Sequence, residues 1–103
     1  MKTKFQVGGS EYEVALEKRE RAESDKFQPF TAIVAGSTGG AVKGTMQFTE
    51  EALQAAQKRA EGAKGISVDA LLADASARSL AAELVIRKLK PDFSFVVDPR
   101  WLD

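Results

Sequence analysis

The chain contains neither cysteine nor histidine among its 103 residues. Without cysteine it can form no disulfide, no thiol nucleophile and no zinc–thiolate site. Without histidine it lacks the side chain most often used as a general base and most often found as a transition-metal ligand. We therefore predict no catalytic residue, no metal site and no cofactor. An enzyme would have to rely on carboxylate, lysine or serine groups, and we rank that function third.

An excess of one charge and long apolar runs are also missing. Lys+Arg and Asp+Glu both number 15, so the formal net charge is zero, whereas a nucleic-acid-binding protein normally carries a basic excess. No stretch approaches the ~20 apolar residues of a membrane span. The first residues show no apolar run of a secretory signal either. The composition argues against nucleic-acid and membrane partners and predicts a cytoplasmic protein.

What remains is the composition of one folded domain. Hydrophobic residues make up 44% and charged residues 29% of the chain, which are ordinary values for a globular protein. The length fits a single domain over residues 1–103, with a modest core that buries about two-thirds of the unfolded surface.

The N-terminal residues predict a β-hairpin. Apolar and polar residues alternate over 3–7 and again over 12–16, the pattern of half-buried strands. Taking 8–11 as the turn pairs Val7 with Tyr12 and places both apolar sets on one face.

The connection that follows, residues 17–29, carries charges of both signs that nearly cancel. This pattern predicts a solvated segment. Proline cannot donate to a β-ladder, so we expect Pro29 to block pairing in a central strand near the end of the segment.

The stretch GSTGGAVKGTMQFTEEAL, residues 36–53, could suggest a phosphate-binding loop. That motif needs a glycine directly before Lys-Ser/Thr, with the helix starting at the lysine, but here Val42 precedes Lys43. The pattern instead predicts a second hairpin.

The strands of this second hairpin run over 30–35 and 41–48, and matching their apolar faces pairs Val34 with Val42. The loop of the hairpin is then 37–39, with Gly39 in the left-handed region. Gly44 falls inside the second strand, where glycine indicates a bulge or a close approach.

Two helices are predicted after the hairpin. Thr49 is an N-cap residue type, followed by two glutamates in the first turn, and Gly62 and Gly65 end this helix. Its buried stripe is expected at Leu53, Ala56 and Ala60. The second helix starts after Ser67 and could extend to Lys90, where Pro91 stops it, with a break near Ser76 or Ser79.

Residues 93–97 alternate as a short final strand, and Trp101 and Leu102 follow it. The predicted fold class is therefore α+β. An antiparallel sheet of four strands, to which 93–97 could add a fifth, is covered on one face by two helices, in the order ββββαα(β).

The C-terminal third has more apolar surface than one sheet face can cover. Apolar residues spread around much of the second helix, and contiguous exposed apolar patches usually mark interfaces. We therefore predict a homo-oligomer assembled through the second helix or the final strand. The candidate interface residues are Leu80, Leu84, Val85, Phe93, Phe95 and Trp101.

Residues 12–60 resemble the front of HicB-like antitoxin domains. The stretch YEVALEKRERAESDKFQPFTAIVAG is followed by AVKGTMQFTEEALQAAQKRA, and that family also has a strand, a loop, two strands and a helix that opens with a T-x-E-E-A-L-type phrase, here Thr49–Leu53. The resemblance implies a sheet-and-helix module that oligomerises and binds a partner protein.

Three functions follow in order. The first is a small non-catalytic interaction or ligand-binding domain, oligomeric and able to bind a partner protein. The second is a HicB-like regulator that binds a toxin or nucleic acid. The third is the small enzyme considered above. The sequence names no ligand and no pathway.

Overall fold

The computed structural model describes residues 1–24, 27–37, 40–63, 65–83 and 89–102. They form one five-stranded sheet in the order β1-β2-β3-β4-β5. The strands and helices follow the predicted order, and their bounds are β1 Lys2–Val7, β2 Ser10–Lys18, β3 Gln28–Gly36, β4 Ala41–Phe48, α1 Glu50–Gly62, α2 Val68–Glu83 and β5 Phe93–Val97.

The α+β class and the element order are confirmed, and the fifth strand forms. The first four strands are an antiparallel meander, whereas β5 lies parallel to β4. A parallel neighbour needs a crossover connection, and the two helices supply it. The sheet is therefore mixed.

The first hairpin forms, but its predicted register is wrong by two residues. Val7 pairs with Ser10, and Tyr12 pairs with Phe5. The turn is the two-residue step Gly8-Gly9, with φ of 57° and 84°, as the tight turns of twisted hairpins require. A slip of two residues keeps each side chain on its own face, so the predicted apolar face is unchanged.

Pro29 lies inside β3, a central strand, contrary to the prediction. Its carbonyl accepts the Arg19 N–H at 3.1 Å, so residue 29 faces β2 just beyond the last residue of that strand. The donor that proline lacks comes from a neighbour, because the Gln28 Nε2 donates to the Arg19 carbonyl at 2.8 Å. The buried Gln28 side chain thus repairs the ladder where proline interrupts it.

The second hairpin has the predicted register. Phe30 pairs with Met46 and Val34 with Val42. Gly39 lies outside the described residues, so the prediction of its φ stays a prediction. The close approach predicted at Gly44 is confirmed, because the ring of Phe93 on β5 packs where a side chain would stand.

Both helices begin where the capping residues predict. The Thr49 hydroxyl accepts the Ala52 N–H at 3.0 Å, and the Ser67 hydroxyl accepts the Ala70 N–H at 3.1 Å. In α1 the fully buried residues are Ala52 and Ala56. The predicted burial of Ala56 is confirmed, Leu53 and Ala60 pack partly buried against the core, and the burial of Ala52 was not predicted.

The second helix runs unbroken through both serines where a break was predicted. Ser76 and Ser79 are buried, and the Ser76 hydroxyl donates to the Leu72 carbonyl at 2.9 Å. A serine that bonds back to the preceding turn stays compatible with the helix. The residues after Glu83, up to 88, lie outside the described part of the chain.

The core lies between the helices and one face of the sheet, which we call the inner face. Its buried strand residues all share this face: Val14, Leu16, Phe30, Ala32, Val34, Met46, Phe48 and Val97. The chain then makes a short 3₁₀ turn over Pro99–Leu102, which packs on both helices and buries Leu102.

Candidate interaction surfaces

The structure separates the six predicted interface residues. Leu80 is fully buried within the subunit, which makes it a core residue. Phe93, Phe95 and Trp101 are half-buried at the edge of the core. Leu84 and Val85 lie outside the described residues. Of the described candidates, the three that remain partly exposed lie on β5 and on the turn that follows it, and the prediction for Leu84 and Val85 stays a prediction.

Trp101 is half-buried against the core, and the Arg100 guanidinium lies 5.2 Å from the centroid of its ring. Its indole Nε1 is buried and has no hydrogen-bond partner. An orphaned buried donor costs about 1 to 3 kcal/mol.

The two edges of the sheet differ in chemistry. The β1 edge carries Lys2 and Lys4, and charged side chains on an edge strand oppose pairing with another chain. The β5 edge reads FSFVV and carries no charge within the strand. Val96 there is 45% exposed. The β5 edge therefore lacks charged side chains within the strand that would oppose pairing with another chain.

The hydrogen bonds of β4 show which backbone groups of β5 point away from the sheet. The Lys43 carbonyl accepts from the Asp92 N–H at 2.9 Å, so Lys43 faces β5. Backbone groups alternate sides along a strand, so Thr45 and Gln47 face β5 as well. They pair with Ser94 and Val96. In a parallel ladder, a residue that faces the neighbouring strand forms its hydrogen bonds with the two residues that flank its partner.

It follows that Phe93, Phe95 and Val97 bond to β4. The N–H and C=O groups of Ser94 and Val96 therefore point outward, along the free edge. Both residues are also exposed at their side chains. Two residues of β5 thus offer two donors and two acceptors to an incoming strand.

The face of the sheet opposite the helices, which we call the outer face, has an apolar depression across β1, β2 and β3. It has a volume of about 320 Å³, and its apolar lining is Met1, Ala15, Leu16 and Ile33. Lys2, Glu17 and Thr31 line it as well. Ile33 is 41% exposed and pairs directly with Ala15. A branched apolar side chain therefore stands open at the middle of this face.

A polar depression of about 350 Å³ adjoins the apolar one and shares Thr31 with it. Its other lining side chains are Arg19, Lys43, Thr45 and Asp92. Asp92 has a φ of 64° and is the one non-glycine residue with a left-handed backbone in the described part of the chain. Cations, carboxylates, hydroxyls and an apolar side chain therefore meet on one surface.

The sequence analysis did not predict the two depressions of the outer face. The alternation of apolar and polar residues in β2, β3 and β4 assigned the side chains to the correct faces, but neither depression follows from alternation alone. Arg19 lies beyond the end of β2, and Asp92 comes from a distant part of the chain. Their approach depends on the register of four strands and on the crossover, which no local pattern specifies.

No protein-family model matches the chain, and comparisons with curated proteins and with solved structures find no match. The resemblance to HicB-like antitoxin domains stays a prediction.

Within the described ranges, no group of three or more acidic side chains is placed to hold a metal ion. No helix in those ranges is long and apolar enough to cross a membrane.

Proposed function

We propose that the protein is a small, non-catalytic, cytoplasmic interaction domain that works as a homodimer, joined through the free edges of two β5 strands. The observation that carries this proposal is the open β5 edge, which has no charged side chain within the strand and two outward-facing residues. An isologous contact suits such an edge, because one strand can pair with its own copy across a two-fold axis.

The pairing can be stated residue by residue. In an antiparallel arrangement centred on Phe95, Ser94 of one subunit lies opposite Val96 of the other. Each such pair exchanges two hydrogen bonds, so the two pairs use every outward backbone group of both residues. The result is a continuous ten-stranded sheet.

The side chains support the same register. Phe93, Phe95 and Val97 lie on the inner face, so their counterparts from the second subunit would extend the apolar face. Two Phe95 side chains would meet at a non-hydrogen-bonded position, where side chains come closest. Aromatic cross-strand pairs add about 0.2 to 1 kcal/mol.

Sedimentation velocity over a range of protein concentration tests the proposal. We expect a mass near twice the 11.1 kDa of one chain at high micromolar concentration, with dissociation on dilution. A mass of one chain at every concentration would contradict the dimer.

A further inference from the structure

The two depressions of the outer face form one composite surface with two chemical halves. Thr31 lines both of them. Ala15 and Ile33 supply its apolar half, and Arg19 and Lys43 supply two cations to its polar half. We infer that this surface binds a small carboxylate that carries an apolar tail.

The strand register places the two cations on opposite sides of Thr31. Pro29, Thr31 and Ile33 are successive outer-face residues of β3. Arg19 is bonded to Pro29 on the β2 side, and Lys43 pairs with Ile33 on the β4 side. Long basic side chains from opposite corners can therefore both reach a group that lies over the Thr31 hydroxyl.

These cations are available to a ligand. Within the described ranges, neither Arg19 nor Lys43 forms an ion pair, whereas Lys4, Arg21 and Arg78 each do. Guanidinium groups match a carboxylate with two parallel hydrogen bonds, and a lysine adds a point charge. Thr45 pairs directly with Thr31 and lines the same depression, so its hydroxyl adds a second neutral donor.

The apolar half sets the other requirement. Ile33 lies beside Lys43 in the same cross-strand row, and Ala15 continues that row on β2. A tail attached to a carboxylate over Thr31 would therefore reach Ile33 within a few ångströms. Burial of that tail supplies binding energy that a bare anion such as acetate lacks.

Two acidic side chains define where the carboxylate can sit. Glu17 lies opposite Thr31 on β2, and Asp92 lines the far side of the polar depression. Both repel an anion, so they confine it to the space between Arg19 and Lys43. Replacing either with its amide should tighten binding.

The test uses isovalerate, its neutral isostere isovaleramide, and acetate, each titrated into the isotope-labelled protein and followed by amide chemical shifts. We expect saturable shifts with isovalerate at residues 15, 31, 33, 43 and 45. Isovaleramide should bind about 10-fold or more weakly, since a hydrogen bond to a charged group contributes about 1.5 to 3 kcal/mol. Acetate should also bind more weakly, because it has no tail.

Variants separate the two halves of the surface. Arg19→Gln and Lys43→Gln should each weaken isovalerate binding severalfold and leave isovaleramide unaffected, and Thr31→Val should act in the same direction. Asp92→Asn should tighten isovalerate binding. Lys4→Gln, a change on the same face outside both depressions, is the matched control and should alter neither ligand.

Equal binding of isovalerate and isovaleramide would overturn the inference, as would shifts that the Arg19 and Lys43 variants leave unchanged. The absence of saturable shifts up to high millimolar ligand would overturn it too. These outcomes are independent of the dimer, because the mass of the protein is measured without ligand.

Discussion

Gly44→Ala should lower the free energy of unfolding by about 3 kcal/mol, at the upper end of the usual cost of overpacking. Gly44 lies in β4 directly beside Phe93 of β5. A β-carbon at this position would overlap both the ring and the carbonyl oxygen of Phe93. The carbonyl belongs to the backbone and cannot rotate away, so β5 has to move.

Urea denaturation followed by far-UV circular dichroism measures this effect. Gly62→Ala is the matched control, because a β-carbon there, in the last turn of α1, meets open space. We expect Gly62→Ala to leave stability unchanged or to raise it by a few tenths of a kcal/mol, since alanine favours helix. Equal losses in the two variants would show that Phe93 does not pack on Gly44 as described.

The same substitution connects the core to the assembly. If Gly44→Ala displaces β5, the free edge that we assign to the dimer moves with it. The variant should then sediment as a monomer under conditions where the wild-type protein is a dimer, even where the rest of the sheet stays folded.

Val96→Pro should raise the dimer dissociation constant by about 30-fold or more. The N–H of Val96 points away from β4, so proline removes an outward donor and leaves the ladder within the subunit intact. Each subunit loses one donor, which removes two of the four proposed inter-subunit hydrogen bonds. At about 1 kcal/mol each, the loss is about 2 kcal/mol, and the proline ring hinders approach further.

Gln6→Pro is the matched control for this variant. Leu16 donates to the Met1 carbonyl, so odd-numbered residues of β1 face β2 and the N–H of Gln6 points outward. The substitution therefore places a proline at an equivalent position on the opposite edge of the sheet. We expect Gln6→Pro to remain dimeric, and equal dissociation of both variants would argue against an interface at β5.

Much of this fold could be predicted because its signals are local. The alternation of apolar and polar residues predicted five strands. The capping residues Thr49 and Ser67 predicted where both helices begin. The register of the second hairpin followed from matching apolar faces. Gly44 indicated that another part of the chain packs closely on β4, but the sequence did not identify Phe93 as that residue.

The errors have physical causes that a local pattern does not show. The first hairpin could pair in two registers that keep the same face, and the two-residue turn at Gly8-Gly9 decided between them. The prediction that Pro29 blocks a central strand considered its missing N–H and no donor from a neighbouring side chain. The Gln28 side chain supplies the replacement donor, and that compensation depends on the neighbouring strand.

The predicted interface shows the same limit. Apolar content indicated that the C-terminal third carries more apolar surface than one sheet face needs, but it did not separate core from surface. Leu80 and Leu102 are taken into the core, and the tail folds back onto both helices. Within the described ranges, the C-terminal third keeps the β5 edge available, and its unpaired groups belong to the backbone.

The most direct test of the account is an inter-subunit contact at Phe95. A dimer made from equal parts of ¹³C-labelled and unlabelled protein, studied by isotope-filtered NOE spectroscopy, reports only contacts between subunits. The proposed register brings the two Phe95 α-carbons to about 4.5 Å, so we predict an NOE between the Hα atoms of the two Phe95 residues. A dimer that lacks this NOE, or a protein that stays monomeric at the concentration of the experiment, would contradict the account.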